Sequence, residues 1–117
     1  MKKVLIIEDK PRIRKIYSAM LQMSGIEALE ANDAWEAADA IIFENVDLIL
    51  LDLNPPEIDG SNLFRIVQEH NPNIKIMIAS VYPIEKQKEM APAAIDYFDK
   101  SQGSHVLLEK VNYLLSN

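Results

Sequence analysis

Glu8 with Asp9, Asp52, Ser80 and Lys100 are the side chains of this 117-residue chain whose types and spacing could do chemistry together. Taken singly, each has an ordinary reading. An acidic pair after a strand favours the dipole of the next helix. A lone Asp or Ser after a strand serves as a turn or cap, and a Lys in a loop is usually solvated. Gathered at one place they become a chemical set, because three carboxylates repel one another unless a cation joins them. Carboxylates with a backbone carbonyl and water are how Mg²⁺ is held, often with phosphate completing its shell. A carboxylate can also act as a nucleophile and become an aspartyl phosphate. The metal and a Lys then neutralise the phosphoryl group, and a hydroxyl donates to one of its oxygens.

Whether the set forms depends on the elements that carry it. "KVLIIED" is a β-branched run ended by charge, the pattern of a strand buried on both faces. "KPRIRKIYSAMLQMSG" puts Ile13, Ile16, Tyr17, Met20 and Leu21 on one helical stripe, with Pro11 in the first turn and Gly25 as the stop. "IEALEA" reads as a second strand. Asp33 and Glu36 predict a capping box for a helix through Trp35, Ala38, Ile41 and Ile42. "VDLILLD" is a third strand. Asp59 or Ser61 is expected to cap a helix with Leu63, Ile66, Val67 and His70 inward, ended by Asn71-Pro72. "IKIMIAS" is a fourth strand, "PIEKQKEM" a short polar helix and "IDYFD" a fifth strand. Finally "SHVLLEKVNYLL" places Leu107, Leu108, Val111, Leu114 and Leu115 on one face.

A βα unit repeated five times implies an open, doubly wound parallel sheet with helices on both sides. The length is too short for an eight-fold barrel. Ligands in such sheets sit outside the carboxyl ends of the strands. Glu8-Asp9, Asp52 and Ser80 end strands one, three and four, and Lys100 follows strand five.

Composition removes several function classes. The net charge is 12 − 18 = −6, which disfavours direct nucleic-acid binding, since that rests on Lys and Arg. There is no cysteine, which excludes disulfides, thiolate metal sites and cysteine nucleophiles and fits a cytoplasmic location. The apolar run after Lys3 meets Glu8-Asp9, too soon for a signal peptide or membrane insertion. Apolar residues make up 49 %, so a length of 1–117 fits one globular domain.

At these residues the chain resembles the receiver domain of two-component response regulators, over its whole length and in the strand order 2-1-3-4-5 of the flavodoxin-like topology. The motifs that carry the resemblance are Glu8-Asp9, "DLNPPEIDG" beginning at Asp52, Ser80 after strand four, and Tyr97 with Lys100 around strand five. The resemblance implies a phosphoacceptor switch rather than a turnover enzyme. Asp52 is then the phosphoacceptor, Asp9 a direct Mg²⁺ ligand, Glu8 a ligand through water, and Asn54 a ligand through its backbone carbonyl. Ser80 and Lys100 bind phosphoryl oxygens. The donor is a sensor histidine kinase or histidine phosphotransfer protein, and the domain hydrolyses its own acyl phosphate. Phosphorylation draws Ser80 toward the phosphoryl group and Tyr97 inward, remodelling the face of the fourth helix, fifth strand and fifth helix for a downstream protein target. The chain ends at Asn117, so no output domain is expected within it.

Four departures from the family pattern stand out. Pro55 replaces a Met and removes an amide donor. Val81 replaces a smaller residue and is expected to narrow access to Asp52. Ser101 replaces a Pro that often follows a cis bond. A non-proline cis bond costs about 3–4 kcal/mol, so the sequence leaves that geometry open. The stretch from Ser80 to Lys100 is slightly short, and Pro92 cuts the fourth helix. These departures leave room for a degenerate, unphosphorylated receiver scaffold. A haloacid-dehalogenase type phosphatase also uses an Asp nucleophile, but Asp52-Leu53-Asn54 lacks that family's second acid.

Overall fold

A computed structural model describes residues 1–53 and 60–116, and the side chains at 60 and 61 also lie outside the description. Five strands and five helices alternate: β1 (Lys3–Ile7), α1 (Pro11–Met23), β2 (Glu27–Ala31), α2 (Ala34–Phe43), β3 (Leu48–Asp52), α3 (Gly60–His70), β4 (Lys75–Ser80), α4 (Ile84–Met90), β5 (Asp96–Asp99) and α5 (Ser104–Ser116). The sheet order is β2-β1-β3-β4-β5 and every pairing is parallel, as the apolar runs imply.

The alternation of side chains along a strand explains the two cores. Leu5, Ile7, Ile49, Leu51, Ile76 and Ile78 point to one face and pack with Ala37 and Ile41 of α2 and Leu63 and Val67 of α3. Val4, Ile6, Leu48, Leu50 and Met77 point to the other and pack with Tyr17 and Leu21 of α1 and Leu107 and Val111 of α5. β3 lies in the middle, bonded to β1 on one side and β4 on the other. Asp52 therefore ends the most enclosed strand of the molecule, in register with Ala79.

The helices appear where expected, but not every inward face does. Ile16 of α1 is exposed, and the buried positions there are Tyr17, Ser18 and Leu21. Trp35 of α2 is 84 % exposed and Ile42 is also exposed. α2 instead buries Ala37 and Ile41, a narrow stripe on which the larger apolar side chains flank the true contact. His70 of α3 is exposed rather than inward. At the start of α2, Asp33 accepts from the Glu36 amide at 2.8 Å. Glu36 reaches back to the Asn32 amide, not to that of Asp33, so the expected box closes one residue early. The chain leaves α1 through Gly25, whose φ of +77° suits a residue without Cβ. The caps expected from Asp59 or Ser61, and the loop residues Pro55 and Pro56, lie outside the described residues.

Candidate functional site

The carboxyl edge of the sheet gathers a charged cluster. Glu8 leaves β1 fully enclosed, 1 % exposed. Its backbone is braced on both sides: the amide donates to Ala31 O at 3.2 Å, and Arg14 Nη1 from α1 donates to Glu8 O at 2.8 Å. The side chain accepts from the Lys10 amide at Oε2, 3.3 Å, and from Lys100 Nζ at Oε1, 2.8 Å. The same ammonium lies 3.1 Å from Asp52 Oδ2. Lys100 thus bridges two acids delivered by different strands, and all three side chains are shielded from water. Asp9 is exposed at the rim. One carboxylate oxygen each from Glu8, Asp9 and Asp52 lies within 4.8 Å of the others.

The electrostatics follow from this crowding. Burial, and then hydrogen bonding and repulsion from Asp52, push the Glu8 carboxyl from 4.5 up to about 7, against the pull of Lys100. Burial works against a charged Lys100. The hydrogen bond to Glu8 and the charges of Asp52 and Glu8 outweigh it, so the Lys100 pKa is raised above 10.5. One cation held between several acids leaves surplus negative charge on the cluster. An all-oxygen donor set with that surplus fits a hard divalent ion such as Mg²⁺.

Lys100 is aimed by a short 3₁₀ turn over Lys100–Gln102. Asp99 caps it, accepting from the Ser101 amide at 2.9 Å and the Ser101 hydroxyl at 2.8 Å. Gln102 Oε1 accepts from the Asp99 amide at 3.3 Å. There is no cis peptide bond among the described residues, so the Lys100–Ser101 bond is trans. Ser101, where the family pattern has Pro, supplies two donors to this cap.

Ser80 ends β4 with no exposed surface, and its Oγ accepts from the Tyr82 amide at 3.2 Å. Tyr97 stands inward, 8 % exposed, and its hydroxyl donates to Ala91 O at the end of α4 at 2.6 Å. Val81 is 60 % exposed. The structure therefore brings together Glu8, Asp9, Asp52 and Lys100. It sets Ser80 at the end of the adjacent strand and Tyr97 within the core. The Asn54 carbonyl lies outside the described residues.

Sequence reasoning missed three supports. Arg14, which braces the Glu8 carbonyl, carries no motif that marks it. The Asp99–Ser101–Gln102 cap was legible only as a polar tripeptide pattern. Gln87, 0 % exposed on the polar helix α4, had no sequence signal at all.

The chain matches the family described as the response regulator receiver domain over residues 4–112. It belongs to that family. The receiver fold is met again in solved structures. A CheY-like response regulator receiver domain protein of Methanospirillum hungatei superposes with a TM-score of 0.88 at 25 % identity, over 99 % of this chain and 94 % of that one. The response regulator TrrA of Thermotoga maritima, solved in complex with Mg(2+)-BeF, has a TM-score of 0.85 at 31 % identity, over 97 % and 99 %. Among curated relatives, sporulation initiation phosphotransferase F of Bacillus subtilis is 28 % identical over 84 % of this chain and 81 % of its own length. A protein-glutamate methylesterase/protein-glutamine glutaminase of Archaeoglobus fulgidus is 30 % identical over 93 % of this chain, but the chain spans only 32 % of that relative. Receiver domains of two-component systems take phosphoryl groups from histidine kinases or phosphotransfer proteins and bind Mg²⁺ at an acidic pocket. Glu8, Asp9 and Asp52 form an acidic cluster here. Among the described residues no helix is long and apolar enough to cross a membrane.

Proposed function

We propose that this receiver domain is a phosphoacceptor switch working through Asp52, with residues 1–117 acting as one unit in the cytoplasm. The observation that carries the reading is the Lys100 ammonium, 2.8 Å from Glu8 and 3.1 Å from Asp52, with all three side chains largely buried. A structural ion pair needs one acid. A second buried acid makes sense where the cation must also meet an incoming anion.

In this reading an Asp52 carboxylate oxygen attacks the phosphorus of a donor phosphohistidine. The new P–O bond forms as the P–N bond breaks, and its electron pair returns to the imidazole nitrogen. Lys100 lies against the Asp52 carboxylate and then pairs with a phosphoryl oxygen. Glu8 and Asp9, with Asp52 and the Asn54 carbonyl, are the residues that would hold Mg²⁺. The ion supplies charge neutralisation for the transferring group. Ser80 donates its hydroxyl proton to a phosphoryl oxygen after rotating away from the Tyr82 amide. Water later attacks phosphorus, releasing phosphate and restoring the carboxylate. The readout is a change on the face of α4, β5 and α5, read by a downstream protein. The Mg(2+)-BeF complex of TrrA supports the same site chemistry by similarity.

The test is incubation with acetyl phosphate and Mg²⁺ followed by intact mass. One phosphoryl adduct is expected, absent in Asp52→Ala and strongly reduced in Lys100→Met. An adduct that persists in Asp52→Ala, or none in the unsubstituted protein, overturns the reading.

A further inference from the structure

α4 is polar along its length, yet its one fully buried residue is a glutamine. Gln87 Nε2 donates to Tyr82 O at 2.8 Å and to Phe98 O at 3.0 Å. Its Oε1 is buried with no hydrogen-bond partner among the described residues. A buried carboxamide costs free energy unless its groups are paired, and a leucine would fill the same space. The position is therefore occupied by a group chosen for its bonds, and half of its capacity is unspent.

The two carbonyls it binds explain the choice. Tyr82 lies two residues beyond Ser80, and Phe98 two residues before Lys100. Gln87 consequently joins the exit of the strand that carries the hydroxyl to the strand that delivers the ammonium. Tyr82 faces both ways: its amide donates to Ser80 Oγ at 3.2 Å while its carbonyl is held by Gln87. α4 has no side-chain N-cap bond, and Pro83 supplies no amide there. Among the described residues, side-chain hydrogen bonds fasten α4 through Gln87 within its length and through the Tyr97 hydroxyl on Ala91 O at its end.

We propose that Gln87 is a positioning residue that ties the Ser80 hydroxyl to α4 and β5, its Oε1 taking the Tyr82 N–H when Ser80 turns toward a phosphoryl oxygen. The proposal rests on the phosphoacceptor reading above. Rotation of Ser80 removes the acceptor of the Tyr82 amide. Gln87 Oε1 is an acceptor lacking a donor, on a carboxamide bonded to the same residue. A carboxamide can pair with the N–H and C=O of one residue together, so the exchange leaves neither group unmatched. The Tyr82 segment then shifts toward α4 while still held to Phe98, and the change at Asp52 reaches the helix through one side chain.

The experiment is amide NMR on the full chain with Mg²⁺, with and without beryllofluoride as the phosphoryl mimic, in the unsubstituted protein and in Gln87→Met. Methionine keeps length and volume but neither donates nor accepts as an amide. In the unsubstituted protein beryllofluoride is expected to shift the Gln87 carboxamide resonance and the amides of residues 84–90 and Phe98, with the Tyr82 amide still slow to exchange. In Gln87→Met the Ser80 amide still responds, but the response at residues 84–90 and Phe98 is lost. A response there equal to that of the unsubstituted protein overturns the proposal. Should Gln87→Met not fold, the unsubstituted protein decides alone: a fast-exchanging Tyr82 amide beside an unmoved Gln87 resonance overturns it. No shift at Asp52 or Ser80 defeats the phosphoacceptor reading itself, and this inference with it.

Discussion

Around β1 and β3 the sheet edge is held by charge, whereas around β4 and β5 it is held largely by neutral hydrogen bonds. On the first side Lys100 joins Glu8 and Asp52. On the second, Gln87 joins Tyr82 and Phe98, and Tyr97 joins Ala91. Both sides are buried, but they answer different stimuli. The charged side is sensitive to protons and, on the proposed reading, to divalent ions and an added phosphoryl group. The neutral side is indifferent to pH and ions and moves only when a bond is exchanged. On the proposed reading, the difference separates the part that senses from the part that transmits.

The largest effect expected from breaking this division is Lys100→Met. It leaves two buried acids without their cation, and removing one partner of a buried pair costs about 3–5 kcal/mol. Urea unfolding at pH 8 with chelator should show that loss, and added Mg²⁺ should recover part of it.

The pH dependence comes next. Glu8 titrates near 7 in the folded chain against 4.5 ordinarily, so between those values the folded state holds a proton that the unfolded state has released. Stability therefore falls as pH rises through this window, by about 3 kcal/mol in total. Chelator-treated protein should show a urea midpoint that declines from pH 5 to pH 8. Glu8→Gln should flatten the decline, and so should saturating Mg²⁺, which takes the proton's place.

On the neutral side Tyr97→Phe removes the hydroxyl from Ala91 O and should cost about 1 kcal/mol. The loss should be the same at pH 5 and pH 8, with or without Mg²⁺. A loss that tracks pH would erase the distinction between the two sides. Smallest of all, Arg65→Ala breaks an exposed pair with Glu69 on α3 and should change stability by under about 0.5 kcal/mol.

The sheet was legible because burial on both faces leaves continuous apolar runs, ended by an acid after β1, by Asp52 in β3 and by Ser80 in β4. That rule also placed Asp52, Ser80 and the acidic pair on one edge. The helices were less legible. α2 sits on the sheet through Ala37 and Ile41, so its bulky Trp35 and Ile42 misled a reading based on size. α4 offered no apolar stripe, and its inward residue is a glutamine whose partners are backbone carbonyls. Backbone partners have no letter in the sequence. The same holds for Glu8, whose type was plain but whose backbone carbonyl accepts from Arg14.

The order of the strands carries a kinetic consequence. Strands at the edge of a sheet open locally more readily than the central one, and β5 is an edge strand of four residues bonded only to β4. The acids of the site leave β1 and β3, which have neighbours on both sides, but the ammonium leaves β5. A brief fraying of β5 would carry Lys100 off while Glu8, Asp9 and Asp52 stay in place. The site would then lose its balancing charge well before it loses its shape. On the proposed reading, the opening rate of this one edge, rather than global unfolding, sets how often a phosphoryl group on Asp52 would be left without its ammonium. Hydrogen exchange at Tyr97 to Asp99 measures that clock.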